Sequence, residues 1–189
     1  RIGYDIAYRR WWYTVRVHRA TELRARHSVV NQWDLLAPLG PAFLVPPEPS
    51  RDPVEMAEVP LAATRVSRWM ADVGIRTTDR PIVVHVSAGN LFRRWPEAQF
   101  VELVGRLAAG HPDRRVILTA GPSDVAAARR VGLAARARLP HDGAGAILDA
   151  DHLDLAELHA LLARSALFVG GDSGPLHLAA TTRVPIVGL

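Results

Sequence analysis

The sequence predicts an α/β fold, an open parallel sheet with helices on both faces. Two observations carry this expectation. From Pro81 onward, short apolar runs alternate with amphipathic stretches of helical length about five times. That alternation requires crossover connections between parallel strands. Ile82 to Val86 is also a short apolar run, suited to a parallel strand covered on both faces.

The elements follow in order. Residues 1–40 carry helical spacing, with Val29, Val30, Trp33, Leu35 and Leu36 recurring at three and four and Gly40 as the closing signal. Pro41, Pro46, Pro47, Pro49, Pro53 and Pro60 then forbid continuous helix or central strand, so 41–60 reads as a linker. Thr64–Val73 reads as a short helix with Val66, Trp69, Met70 and Val73 on one face and Gly74 as its stop. Ile82–Val86 is a strand, and 87–95 is a Gly-bearing loop. Pro96 stands at the first turn of a helix whose face is Phe100, Val101, Val104, Leu107 and Ala108, ended by Gly110.

Arg115–Thr119 is the next strand, 121–123 a turn and Asp124–Ala137 an Ala-rich helix. Ala146–Leu148 is a weaker strand. Leu155–Ser165 is a helix with Leu155, Leu158, Leu161 and Leu162 inward. Leu167–Val169 is a strand, 170–175 a loop, Leu176–Thr182 a short helix, and Pro185–Leu189 opens another strand. The expected division is therefore residues 1–60, the end of one domain with its Pro-rich linker, and residues 61–189, a second domain.

Composition narrows the class. The chain has 189 residues, 49% apolar and 22% charged, ordinary values for a globular protein with a sizeable core. It has no Cys, which excludes disulfides and thiolate metal sites. No apolar run approaches the ~18 residues of a transmembrane helix. The sequence starts at Arg1 inside a running pattern and stops at Leu189 inside an apolar strand, so both ends read as truncations. Its net charge is +4. Arg9, Arg10, Arg16, Arg19, Arg24 and Arg26 interleave with Trp11, Trp12 and Tyr13. That segment reads as a surface helix, with nucleic acid or a membrane surface as the functional alternatives.

Ligands on open parallel sheets bind beyond the carboxyl ends of the strands, so the loops to watch are 87–95, 120–124, 149–154 and 170–175. The sharpest is Gly170-Gly171-Asp172-Ser173-Gly174-Pro175-Leu176-His177. Glycines allow close backbone approach, and N–H groups at a helix start favour phosphate. Asp172 and Ser173 are either ligand contacts or helix N-caps. In the second loop, Ser87, Ala88 and the backbone around Gly89 could cradle a phosphate, and Arg93 or Arg94 could neutralise a diphosphate. In the third, Asp124 either accepts from ribose hydroxyls or caps the helix. His85 reads as a packed strand residue, and His152 and His159 as structural.

Other chemistries fail on spacing. Gly171-Asp172-Ser173-Gly174 is followed by Pro175 and set in βα alternation, unlike the serine protease nucleophile segment. No Gly-x-Ser-x-Gly elbow, Gly-x-Gly-x-x-Gly fingerprint, Walker A sequence or metal-spaced cluster is present.

Taken together, the stretch from Ile82 to Leu189 resembles the carboxyl-terminal domain of glycosyltransferase family 9, the lipopolysaccharide heptosyltransferases. The resemblance rests on Gly171 to Ala180 followed by Pro185-Ile186-Val187, on the strand Val83–Val86 leading to Arg93-Arg94-Trp95-Pro96, and on Leu118 through Gly121-Pro122-Ser123-Asp124. It covers about 110 residues; His27 to Gly40 is similar to the end of the family's amino-terminal domain only loosely.

The resemblance implies a GT-B architecture with a Rossmann-like carboxyl-terminal domain, here with the end of the amino-terminal one. It implies inverting, metal-independent transfer of a heptose or related sugar from a nucleotide-diphosphate donor, commonly ADP-activated, to a lipopolysaccharide core or related cell-envelope glycan. By that resemblance Ser87, Ala88 and Arg93 or Arg94 meet the diphosphate and Asp124 the ribose. Asp172, Ser173, Gly174, Pro175 and His177 meet the diphosphate-sugar region. Arg93 stands where Lys is usual, and the loop 87–92 is a residue longer than the common form. No cofactor, metal or nucleic acid is implied. The acceptor is lipid-linked or a glycan, and the location is cytoplasmic, with peripheral association at the inner membrane face left open. The family's catalytic carboxylate belongs to a region outside this sequence. A nucleotide-sugar epimerase on the same fold and a non-catalytic nucleotide-sugar-binding module are the rival readings.

Overall fold

The computed structural model describes residues 1–19, 28–48, 50–86, 94–140, 143–150 and 152–189. They form two compact units, Arg1–Pro53 and Val54–Leu189, dividing within the Pro-rich stretch.

In the first unit, β1 (Ile2–Tyr4) pairs in parallel with β2 (Val15–Val17), Gly3 opposite Arg16. A 3-10 turn at Arg10–Trp12 lies between them. The helical reading of residues 1–40 therefore fails over its described beginning, and the surface helix expected around Trp11 and Trp12 is absent there. Ile2, Tyr4, Val15 and Val17 are strand-favouring residues, and three-residue strands are too short to show a period. Trp11 and Trp12 are exposed. Among the described residues of this stretch, α-helix survives only as α1 (Ser28–Trp33). It tightens into a 3-10 run at Asp34–Leu39, where Pro38 has no N–H to continue α-helical bonding. Gly40 ends that run at φ 135°, a conformation that excludes ordinary side chains.

The second unit opens with α2 (Pro60–Asp72), which starts four residues earlier than its apolar face suggests because Pro60 sits in the first turn. It closes in a Schellman motif. Gly74 at φ 79° donates to the Ala71 carbonyl, and buried Ile75 donates to that of Met70. Strands β3 (Arg80–His85), β4 (Arg114–Thr119), β5 (Ile147–Asp149), β6 (Leu167–Gly170) and β7 (Ile186–Gly188) form one parallel sheet in the order β5-β4-β3-β6-β7. Helices α3 (Glu97–Ala109), α4 (Val125–Arg136), α5 (Leu155–Ala163) and α6 (Gly174–Ala179) connect them.

Successive strand side chains point to opposite faces, and each face builds its own core. Ile82, Val84, Val116, Leu118 and Val169 pack under α3 and α4 with Phe100, Val104 and Val131. Val83, Ile117 and Phe168 pack on the other face with Val66 of α2, Leu161 and Leu162 of α5, and Leu178 of α6. One inward assignment is corrected: Leu155 is 65% exposed. A capping box, in which Asp154 and Glu157 each accept the other's backbone N–H, starts α5 at Leu155 and turns that residue to solvent.

Candidate functional site

The chain leaves β3 toward β4 and β5, then returns to β6 and β7 on the other side of β3. Connections from β3 and β6 thus diverge, and the crevice beyond their carboxyl ends is the topological switch point where open sheets of this kind bind ligands. His85 ends β3 opposite Gly170, which ends β6. At Gly170 a Cβ would lie 2.9 Å from the Phe168 ring and 3.2 Å from the His85 Cβ. The missing side chain at Gly170 thus eases the close approach of the two strand ends.

Beyond β3 and β4 the polar groups converge. Trp95 packs edge-on against Phe100 at 5.1 Å and anchors the chain just before α3, with Pro96 as the N-cap rather than the first helical residue expected. Arg94, immediately before it, places a guanidinium nitrogen 2.9 Å from Oδ1 of Asp124. Asp124 occupies the N-cap position of α4 with φ −117° and ψ 6°, and its side chain makes no capping bond. Its Oδ2 instead accepts from the Ser123 hydroxyl at 3.0 Å. Buried His85 places Nδ1 3.0 Å from the Thr119 hydroxyl. Burial drives the imidazole pKa down to about 4, partly opposed by the Asp124 charge, so the ring is neutral near pH 7.

Beyond β6, buried Gly171 leads into an exposed pair: Asp172 Oδ1 lies 3.5 Å from His177 Nε2. His177 therefore faces away from the sheet. Ser173 is the N-cap residue of α6, which begins two residues earlier than the sequence suggests. Its hydroxyl does not cap; it donates to the Gly171 carbonyl at 3.1 Å and tightens the loop. Pro175 has no N–H, and the Leu176 N–H donates to the Ser173 carbonyl. The backbone donors this segment can offer a ligand are thus those of Ser173 and Gly174, fewer than a full helix start provides.

The arrangement suits an anion flanked by hydroxyls: a guanidinium on one side, a glycine-rich turn on the other, and an exposed carboxylate–imidazole pair beside it. Among the described residues, no group of three or more His, Cys, Asp or Glu could hold a metal ion. No described helix is long and apolar enough to cross a membrane.

The whole chain, residues 1–189, matches glycosyltransferase family 9 (heptosyltransferase). The chain belongs to glycosyltransferase family 9. It is 27% identical over 170 residues to lipopolysaccharide heptosyltransferase 3 of Escherichia coli, covering 88% of this chain and 45% of that protein. Its fold is similar to the family 9 glycosyl transferase from Veillonella parvula, with TM-score 0.72, 18% identity, and 96% of this chain against 48% of that one covered. It is also similar to the Escherichia coli heptosyltransferase WaaC with ADP-2-deoxy-2-fluoro heptose, with TM-score 0.59, 20% identity, and 95% against 49% covered. At such identities these two likenesses show the fold alone. The chain spans about half the length of these relatives.

In this family 9 chain, the residues singled out from the sequence fall into two described groups, Arg94 with Asp124 and Asp172 with His177, joined by Ser173, Gly174 and Pro175. Ser87, Ala88 and Arg93 lie outside the described residues. Thr119 was not anticipated. Its place at the end of β4, opposite His85 in register, was the available signal, and it depends on the strand pairing.

Proposed function

We propose that this family 9 chain supplies the donor side of an inverting glycosyltransferase that moves a heptose or related sugar from a nucleotide-diphosphate donor, ADP-heptose in the first instance, to a lipopolysaccharide core or related cell-envelope glycan. The observation that supports this most is the position of Gly171-Asp172-Ser173-Gly174 and His177, beyond β6 and beside β3, where the strand order reverses.

An acceptor hydroxyl attacks the anomeric carbon from the face opposite the leaving group; the new C–O bond forms as the bond to the diphosphate breaks. The hydroxyl proton passes to a carboxylate contributed by a part of the protein outside this sequence. Negative charge then grows on the departing nucleoside diphosphate. The groups proposed to meet it are Ser87, Ala88, Arg93, Arg94, the N–H groups of Ser173 and Gly174, and the Ser173 hydroxyl once it leaves the Gly171 carbonyl. His177 and Asp172 are proposed to orient the sugar-proximal phosphate. Arg93→Ala is expected to lower turnover about tenfold or more. The reaction is proposed to need no metal, so turnover should be unchanged in EDTA. A lipid-linked acceptor would place the work at the cytoplasmic face of the inner membrane.

Calorimetric titration of the full-length protein with ADP, UDP and GDP tests the reading. Saturable binding of ADP, lost in Asp172→Ala, is expected; a folded protein that binds none of the three would overturn it.

A further inference from the structure

We propose that the turn carrying Trp11 and Trp12 docks the protein on an anionic lipid surface, with the two indoles at headgroup level and the neighbouring arginines on lipid phosphates. The inference concerns the first unit and does not depend on the donor-binding reading. Tyr8, Trp11 and Trp12 are 77%, 81% and 71% exposed. Large aromatic side chains gathered in water on one short segment mark an interaction surface, because their apolar area is stabilised only by being covered. Trp and Tyr favour the boundary between membrane and water, where the ring body meets acyl chains and the polar edge meets headgroups.

The charge around them is complementary to such a surface. Residues 1–19 hold five Arg and one Asp, a net +4. The whole chain also carries +4, so the remaining residues balance and the excess is confined to this segment. Arg9 and Arg16 are exposed, and the Arg9 guanidinium lies 5.9 Å from the centroid of the Tyr8 ring. A negatively charged leaflet attracts these arginines, and the indoles add the apolar burial that charge alone lacks. The turn also holds the pair in place before any contact. The Ile6 carbonyl accepts from the Arg9 and Arg10 N–H groups, both at 2.9 Å, and the Arg9 carbonyl accepts from that of Trp12 at 3.1 Å. Arg10 grips Asp5 at 3.2 Å, and the Asp5 N–H donates to the Val17 carbonyl at 2.9 Å. A surface ordered in advance loses little freedom on binding. Nucleic acid fits less well. Adjacent residues of a 3-10 turn are rotated by about 120°, so Trp11 and Trp12 do not form a platform for successive bases. Entry into a fluid boundary needs no parallel rings.

The test sediments the full-length protein with vesicles, in the absence of any sugar donor or acceptor. One set is phosphatidylcholine alone; the other is phosphatidylcholine and phosphatidylglycerol in equal parts. Binding to the mixed vesicles should exceed binding to the neutral ones by about tenfold or more and weaken as salt rises. Trp11→Ser with Trp12→Ser should weaken it by about tenfold or more at every salt concentration. Arg9→Gln with Arg16→Gln should weaken it and flatten its salt dependence. Wild-type tryptophan fluorescence should shift to the blue on the mixed vesicles and be quenched by lipids brominated on their acyl chains. The tryptophan variant should lose that response while keeping the wild-type circular dichroism. Should it not fold, the arginine variant and the wild-type quenching decide. Equal vesicle binding by the wild type and the folded tryptophan variant overturns the inference. So does a wild type that ignores the mixed vesicles or binds the neutral ones as well. Tighter binding to a single-stranded oligonucleotide than to vesicles, lost in the arginine variant, overturns it in favour of nucleic acid. A wild type that binds vesicles but no nucleotide removes the donor-binding reading and leaves this inference standing; one that binds nucleotide but no vesicles does the opposite.

Discussion

His85 and Thr119 face each other in register on β3 and β4, with the imidazole Nδ1 3.0 Å from the threonine hydroxyl. The pair carries a pH dependence whose sign is fixed. In the unfolded chain the imidazole takes up a proton near 6.5; in the fold, burial holds it off until about 4. Between those values the unfolded state binds more protons, so stability falls as pH falls through that window, by on the order of 3 kcal/mol from this group. Denaturant midpoints measured from pH 7 to 4.5 should decline in the wild type and decline less in His85→Gln. Equal slopes in the two proteins would contradict the assignment.

Gly170→Ala tests the approach of β3 to β6. The added methyl would lie 2.9 Å from the fully buried Phe168 ring, closer than side chains approach, and 3.2 Å from the His85 Cβ, a tight contact. The substitution should cost about 1–3 kcal/mol. It should also weaken nucleotide binding, because it parts the strands at the floor of the crevice. Chemical denaturation and the same titrations read both effects.

At the opposite end of β3, Asp79 accepts from the Arg76 N–H at 2.9 Å and from its guanidinium at 3.0 Å, and it faces Arg115 at 3.3 Å. Burial raises its carboxyl pKa, but the Arg76 hydrogen bonds and the Arg115 charge outweigh that and hold it below the ordinary 3.8. Asp79→Ala should therefore destabilise the fold by about 3 kcal/mol, leaving Arg115 half-buried without its partner. The stability Asp79 contributes is complete above pH 3.8 and is lost as pH falls below that value through the depressed one. Acid titration followed by circular dichroism should show the variant lacking that final loss.

His159 is buried in α5, and neither of its ring nitrogens has a hydrogen-bond partner among the described residues. Burying such groups unpaired is unfavourable. His159→Leu is expected to raise stability by about 1 kcal/mol, with nucleotide affinity unchanged. A drop in thermal midpoint would mean that the imidazole makes an interaction in solution that offsets its burial.

The strands of the second unit were legible because Ile82–Val84 and Leu167–Val169 are unbroken apolar runs, and burial on both faces leaves that mark. The three-residue strands Ile2–Tyr4 and Val15–Val17 were not, since three residues are too few to repeat the two-residue period that would reveal them. Strand order was also hidden. No local pattern says that β6 returns to the side of β3 away from β4. The candidate site was legible as residue types beyond strand ends. What each does there was less so: Asp124 reads equally as a cap or a sugar ligand, and its ion pair with Arg94 of the neighbouring loop leaves no mark in the sequence. Leu155 failed for a similar reason, because the reciprocal Asp154–Glu157 bonds, not the spacing of leucines, set the phase of α5.

The pairing of β3 with β6 has a consequence for how the protein matures. Ile82 lies opposite Leu167, so these strands meet only after two intervening strands and three helices have been made. Contacts so remote in sequence close late, because the chain must give up much freedom before they form. The crevice has no earlier existence, since its two walls are the ends of these strands. A ligand held there recognises the finished sheet and nothing that precedes it, and its binding should retard unfolding most at the seam between β3 and β6.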